Sequence, residues 1–335
     1  MERKFNEIKV LVTRKIPVLG VEMLRKEGFS VTAWPHEWPM TDDELITESK
    51  KHNVILCVSA DNIGTNFINN CSHLEMISQF AVGYDNIDVS LATKLGIPIG
   101  YAPGAMNEAT ADIAFGLMIA VARKFFYMHK GILRGEWTYF KPNANLGMEF
   151  NNKTLGIFGL GRIGMAMARR CKGAYNMNII YCNRKPNSEA EKLYDAKQVS
   201  FDELLQQSDV ISVHSIMSKE TKEIFDKHAF SKMKPTSIFI NTARGGIHNE
   251  KDLIDALNNS TIWGAGLDVT NPEPIKLDNP LLEMENVCIL PHIGSATIEA
   301  RNEMSRMAAE NIIQFYKNNF IPHCVNPEVL KSARS

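Results

Sequence analysis

Six cysteines in 335 residues, at 57, 71, 171, 182, 288 and 324, show neither CxxC spacing nor the density of a disulfide framework. That scarcity excludes a small stapled scaffold and a zinc site, so no metal is expected and a reduced, cytoplasmic chain is. Charge of either sign is balanced: the formal net charge is -1, and charged residues make up 22%. A near-neutral chain gives no reason to expect nucleic acid or an anionic membrane as partner. Long apolar runs are missing too. The most apolar stretch, Ile113 to Ala122, contains a glycine and is too short to span a bilayer, which makes it a buried helix. The amino terminus, MERKFNEIKV, mixes charges and lacks the apolar core of a signal peptide.

What is present is alternation. At 335 residues, two domains are the default expectation. Short apolar runs at Ile8–Val12, Val54–Val58, Met76–Ile77 with Phe80, and Ile97–Ile99 are separated by helix-length segments. Pro103-Gly104 punctuates this set, and an apolar helix from Asn107 to about Arg123 follows. A second set reads Thr154–Phe158, Asn178–Tyr181, Val210–His214, Ser237–Asn241, Gly264–Asp268 and Val287–Leu290. This pattern predicts an α/β chain with two doubly wound parallel sheets. The last periodic segment carries Met304, Met307, Ala308, Ile312 and Phe315 at helical spacing, and its return to the first domain would make that domain discontinuous. The boundaries expected are 1–105 with 299–335 for one domain and 106–298 for the other.

Directly after the apolar strand Leu155-Gly156-Ile157-Phe158 comes Gly159-Leu160-Gly161-Arg162-Ile163-Gly164, and a helical segment follows. In that context the glycines serve a tight turn, close approach of a pyrophosphate, and helix–strand packing. The helix start supplies N–H groups and partial positive charge for phosphate. About 20 residues on, NAD sites keep an acid for the adenosine ribose. Here the chain reads Tyr181-Cys182-Asn183-Arg184-Lys185-Pro186, an amide and two cations with no carboxylate. Arg184 and Lys185 suit a 2′-phosphate, at roughly 1.5–3 kcal/mol per charge-assisted contact. NADP(H) is therefore expected over NAD(H), with paired cations on a solvated loop as the plain alternative.

Three further strands end in chemistry. Asn241-Thr242-Ala243-Arg244-Gly245-Gly246 places a guanidinium after one, Asp268-Val269-Thr270-Asn271-Pro272-Glu273 a glutamate after another, and Leu290-Pro291-His292-Ile293-Gly294 a histidine after a third. Singly, each has a structural explanation. Together they are the parts of a carbonyl reductase: a carboxylate clamp, a proton donor, and an acid to support that donor.

"GLGRIG", "NTARGG", "LDVTNPEP" and "LPHIGSAT", in that order, resemble the D-2-hydroxyacid dehydrogenase family, and "AVGYDNIDV" and "NEATADIAFGLM" extend the resemblance over essentially the whole chain. The resemblance implies a Rossmann-type cofactor domain and a flavodoxin-like substrate domain with a cleft between them. It implies that Arg244 binds substrate and takes part in catalysis, that His292 is the acid/base and Glu273 its partner, and that Val82-Gly83 holds the substrate carboxylate. It also places Thr110, Arg162, Ile163, Ser215, Thr242 and Asp268 along the dinucleotide, beside Gly159, Gly161, Gly164, Asn183, Arg184, Lys185 and Gly294. "GEWTYFKPNANLG" is similar to the tryptophan-containing segment of the glyoxylate/hydroxypyruvate reductase branch, which reaches the partner subunit's site, with Phe140 where that branch has its second tryptophan. The implied activity is NADPH-dependent reduction of a small 2-oxo acid by a homodimer. A 2-ketogluconate-type dehydrogenase and a dinucleotide-sensing protein like the corepressors of this fold stay open as alternatives. The loop Cys57–Ile63 contains no cation, which ranks a phosphorylated substrate lower.

Overall fold

A computed structural model of the chain describes residues 4–332. The chain divides into two compact units. The first runs through Met106 and is rejoined from Ala296 onward, and the second spans Asn107–Ser295.

In the first unit five strands lie parallel: β1 (Lys9–Val12), β2 (Ser30–Ala33), β3 (Val54–Cys57), β4 (Met76–Gln79) and β5 (Ile99–Gly100), in the order β2-β1-β3-β4-β5. This is the flavodoxin-like order, whose strand sequence reverses between β1 and β3. The all-buried Val-Ile-Leu-Cys of β3 is the signature of a strand covered on both faces. The helices Val18–Lys26 and Ile298–Asn318 cover one face, where Leu24, Met76, Ala308 and Ile312 share a core. Leu45, Phe67, Ile68 and Ala92, from three shorter helices, fill a second core against Ile55 and Ile77.

The second unit holds seven parallel strands: β6 (Thr154–Phe158), β7 (Asn178–Cys182), β8 (Lys197–Gln198), β9 (Val210–Val213), β10 (Ile238–Asn241), β11 (Gly264–Leu267) and β12 (Val287–Ile289). Their order is β12-β11-β10-β9-β6-β7-β8, with the reversal between β6 and β9. The apolar helix Asn107–Ala122 lies on this sheet beside the helix Arg162–Tyr175, and Ala114, Leu117, Met118 and Val121 are buried there. It is a core helix of its own unit. Two strands escape the sequence reading, β2 and β8. Both are edge strands with mostly exposed side chains, so neither carries an apolar run.

Among the described residues no helix is long and apolar enough to cross a membrane, and no cluster of His, Cys, Asp and Glu is arranged to hold a metal ion.

Candidate active site

In a doubly wound sheet ligands meet the carboxyl ends of the strands near the reversal of strand order. The glycine turn leaves β6 there. Gly159 has φ +93°, and a Cβ on it would lie 2.6 Å from the backbone nitrogen of Ser215, which follows β9. Only glycine permits both that torsion and that approach. Gly164 packs its α-carbon towards the Gly159 carbonyl, whereas a Cβ on Gly161 would meet open space. The helix from Arg162 has no side-chain cap at Gly161. Its first N–H groups, at Arg162, Ile163 and Gly164, have no carbonyl one turn earlier to bond to. A pyrophosphate fits such an end. Arg162 is exposed, and Ile163 packs on the core.

Asn183, just past β7, turns its carboxamide to this same turn: Leu160 N donates to Oδ1 at 2.6 Å, and Nδ2 donates to the Leu160 carbonyl at 3.2 Å. Arg184 and Lys185 are exposed on the loop beyond it. Glu220, in the segment after β9, has its carboxyl held below the ordinary range, first by the Ser218 hydroxyl and its own backbone, with Arg184 and Lys219 adding smaller charge effects.

A second cluster gathers at β10, β11 and β12. Arg244 follows β10, is half-buried, and donates from Nη1 to the Ala243 carbonyl at 2.8 Å. Its turn is fixed by Asn241, which donates from Nδ2 to the Arg244 carbonyl at 2.9 Å and accepts from Ala243 N at 3.0 Å. Gly245 comes so close to the next turn that a Cβ would sit 2.0 Å from the Thr270 carbonyl oxygen. Thr270 leads into Glu273, and His292 Nδ1 lies 2.5 Å from Glu273 Oε1. Burial pushes the Glu273 carboxyl up. The His292 hydrogen bond and charge, a Thr270 N–H and the Arg244 charge outweigh it, so the net shift is downward. Arg244 is thus close enough to act electrostatically on the Glu273–His292 pair. His292 adopts φ +53°, a left-handed conformation uncommon outside glycine, Asn and Asp. Its N–H closes a tight turn onto the Leu290 carbonyl at 3.0 Å.

Asp268 holds the histidine loop from beneath. Its two carboxylate oxygens accept from Ile293 N at 2.8 Å and Gly294 N at 2.7 Å, and Thr110 donates to the Gly294 carbonyl at 3.1 Å. Burial raises the Asp268 pKa against the pull of those two N–H groups. Thr242 is buried, and its hydroxyl has no hydrogen-bond partner among the described residues. An orphaned hydroxyl past β10, and a capless helix start with an open glycine past β6, fit a polar ligand along the strand ends of this sheet. Every cofactor position named from the sequence lies in this second unit.

Val82 and Gly83 lie in the first unit, on the loop after β4. The Gly83 carbonyl accepts from the buried Gln79 amide at 3.1 Å, Gln79 also donates to Asn86 Oδ1 at 2.8 Å, and Asn86 donates to the Asp61 carbonyl at 2.8 Å. Asp61 pairs with Arg14 at 3.4 Å. The loop Cys57–Ile63 has no cation of its own, yet the fold brings Arg14 to it from the end of β1. Sequence order hid this, because the two positions are 47 residues apart. Phe140 is 83% exposed in the second unit, near Trp137 and Tyr139, which are exposed as well.

Residues 115–294 match the family model of the D-isomer specific 2-hydroxyacid dehydrogenase NAD binding domain. A glyoxylate reductase of Thermococcus litoralis is 40% identical over 329 residues, spanning 97% of this chain and 98% of that protein. The crystal structure of a glyoxylate reductase from Paecilomyes thermophila aligns with TM-score 0.86 and 33% identity over 96% of this chain and 99% of its own. An NADPH-dependent glyoxylate/hydroxypyruvate reductase of Sinorhizobium meliloti, solved with NADP and malonate, aligns with TM-score 0.82 and 27% identity over 95% and 96%. With a glycine turn at the strand-order reversal, an arginine, glutamate and histidine on three adjacent strand ends, and these relatives over its whole length, the chain belongs to the D-isomer-specific 2-hydroxyacid dehydrogenase family.

Proposed function

We propose that this enzyme reduces glyoxylate and hydroxypyruvate, small 2-oxo acids, with NADPH in preference to NADH. The observation that carries the chemistry is the Glu273–His292 contact at 2.5 Å with the Arg244 charge beside it. A nicotinamide cofactor, when bound, supplies the hydride. The chain's residues do the rest. Arg244 presents a planar fork of donors to the substrate carboxylate and polarises the adjacent carbonyl. Glu273, kept ionised by its surroundings, accepts a hydrogen bond from the Nδ1–H of His292 and leaves Nε2–H as the donor to substrate. Hydride addition puts an electron pair into a new C–H bond and negative charge on the carbonyl oxygen, and His292 Nε2 protonates that oxygen. Val82 and Gly83 are assigned as backbone donors to the carboxylate, supported by the resemblance and by the buried Gln79 amide, which with Asn86 fixes their loop.

The preference for NADPH rests on Arg184 and Lys185, exposed where an acid would repel a 2′-phosphate. The homodimer is proposed from the segment 125–146, which exposes Phe125, Ile132, Leu133, Trp137, Tyr139 and Phe140. So large an apolar surface on one segment is the mark of a partner-covered face. A spectrophotometric panel of glyoxylate, hydroxypyruvate and 2-ketogluconate against NADPH and NADH tests the reading. Fastest turnover is expected for the two small acids with NADPH. Turnover of 2-ketogluconate alone refutes the substrate assignment. Cofactor binding without any turnover favours a sensing protein. His292→Ala should cut kcat by about 10²–10⁴-fold and leave the Kd for NADPH within a few-fold.

A further inference from the structure

The position after β7 lacks the acid of a NAD site, and the missing charge is readily explained as tolerance for a 2′-phosphate. The hydrogen bonds give a different reason. Asn183 meets Leu160, the middle residue between the first two glycines of the turn, with both ends of its carboxamide: it accepts from Leu160 N at 2.6 Å and donates to the Leu160 carbonyl at 3.2 Å. Asn187 donates to that same carbonyl at 3.0 Å. Gln198 holds the Asn183 carbonyl at 2.8 Å, and the Tyr181 hydroxyl accepts from Asn187 N at 2.8 Å, so the loop bearing Arg184 and Lys185 is fastened at both ends. Two-point contact with the N–H and the carbonyl of one residue needs a donor and an acceptor on one side chain. A carboxylate offers acceptors only. Aspartate at 183 would satisfy Leu160 N but set a negative oxygen against the Leu160 carbonyl.

We infer that Asn183 is a positioning residue that clamps the glycine turn, rather than a reader of the adenosine ribose or its phosphate. This rests on the reading that the turn takes a nicotinamide dinucleotide. With Leu160 N held by Asn183, and Gly161 N held by the Gly159 carbonyl at 2.8 Å, the donors left to an anion are those of Arg162, Ile163 and Gly164. The clamp therefore aims the helix start at the pyrophosphate, a group that NADP and NAD share. Selectivity between them is left to Arg184 and Lys185.

The test measures NADPH and NADH affinity by fluorescence titration for the wild type, Asn183→Ala and Asn183→Asp. Asn183→Ala should raise both dissociation constants about tenfold, with their ratio kept within about twofold. Asn183→Asp should weaken NADH as well as NADPH. Tighter or unchanged NADH binding in Asn183→Asp, or a loss confined to NADPH in Asn183→Ala, overturns the assignment. Hydrogen exchange of the Leu160 peptide in the cofactor-free wild type tests the clamp without any variant: slow exchange supports it, and exchange at the open-chain rate overturns it. Wild-type protein that binds neither cofactor overturns the cofactor reading beneath it, an outcome seen before any substitution is made.

Discussion

Acid should loosen this enzyme by protonating two histidines that no catalytic step uses. His248 is buried behind the Arg244 turn and packs edge-on against Phe239. Its Nδ1 faces the Asn241 amide at 3.1 Å, so the neutral ring accepts there and carries its proton on Nε2. His214, at the end of β9, lies 2.8 Å from the Ser212 hydroxyl. Burial pushes each imidazole down from 6.5 to about 4. With folded values below the unfolded one, the unfolded chain binds more protons between pH 6.5 and 4, and stability falls as pH drops through that window. Going from pH 7 to pH 5 should remove about 2 kcal/mol for each ring, or about 4 kcal/mol for the pair. Asp268 works with the opposite sign. Its folded value is raised, so it favours the folded state as pH falls through that value. Comparison with a variant isolates one ring. Urea unfolding followed by tryptophan fluorescence at pH 7, 6 and 5 should show His248→Gln losing about 2 kcal/mol less than wild type over that range. Equal losses in the two proteins would refute the placement of a buried neutral His248. The functional consequence is local as well, because a protonated Nδ1 confronts the amide that holds the Arg244 carbonyl.

Three further substitutions probe the site. Glu273→Gln keeps the shape but not the charge beside His292, and kcat should fall roughly 10–100-fold with little change in NADPH affinity; a kcat within twofold of wild type would remove Glu273 from the mechanism. Gly245→Ala puts a methyl group 2.0 Å from the Thr270 carbonyl oxygen, so either the Arg244 turn or the Glu273 turn must move. Stopped-flow reduction should slow more than tenfold, and unaltered rates would show that the two turns are independent. Gln79→Ala strands the Gly83 carbonyl and should raise the KM for the 2-oxo acid about tenfold while the KM for NADPH holds, a split read from steady-state kinetics.

Legibility in the sequence follows burial. The strands whose side chains are buried on both faces, such as Val54–Cys57 and Ile238–Asn241, announce themselves as apolar runs. The edge strands Ser30–Ala33 and Lys197–Gln198 do not, because solvent on their outer side places no demand on composition. Arg244, Glu273 and His292 stand out because each is a chemically distinctive residue just past such a run. Their supports were invisible for a related reason. Asn183 on the Leu160 backbone, Asn241 on His248, and Arg14 on Asp61 are contacts made by ordinary polar residues, and only the fold decides what such residues meet.

The groups assigned to chemistry are held by buried or half-buried side chains bonded to backbone: Asn241 to the Arg244 turn, Asp268 to the His292 loop, Asn183 to the glycine turn. Losing any of these leaves a desolvated donor or acceptor unmatched, at about 1–3 kcal/mol each, so substitutions there disturb everything the turn supports. Arg184, Lys185 and Phe140 are exposed, and they are assigned to the 2′-phosphate and the substrate wall rather than to holding the turns. Preference among cofactors and among 2-oxo acids can therefore drift at those positions while the Arg244–Glu273–His292 arrangement stays fixed. On this argument Phe140→Trp should redistribute kcat/KM among 2-oxo acids in steady-state kinetics, and unchanged ratios would remove Phe140 from the substrate wall.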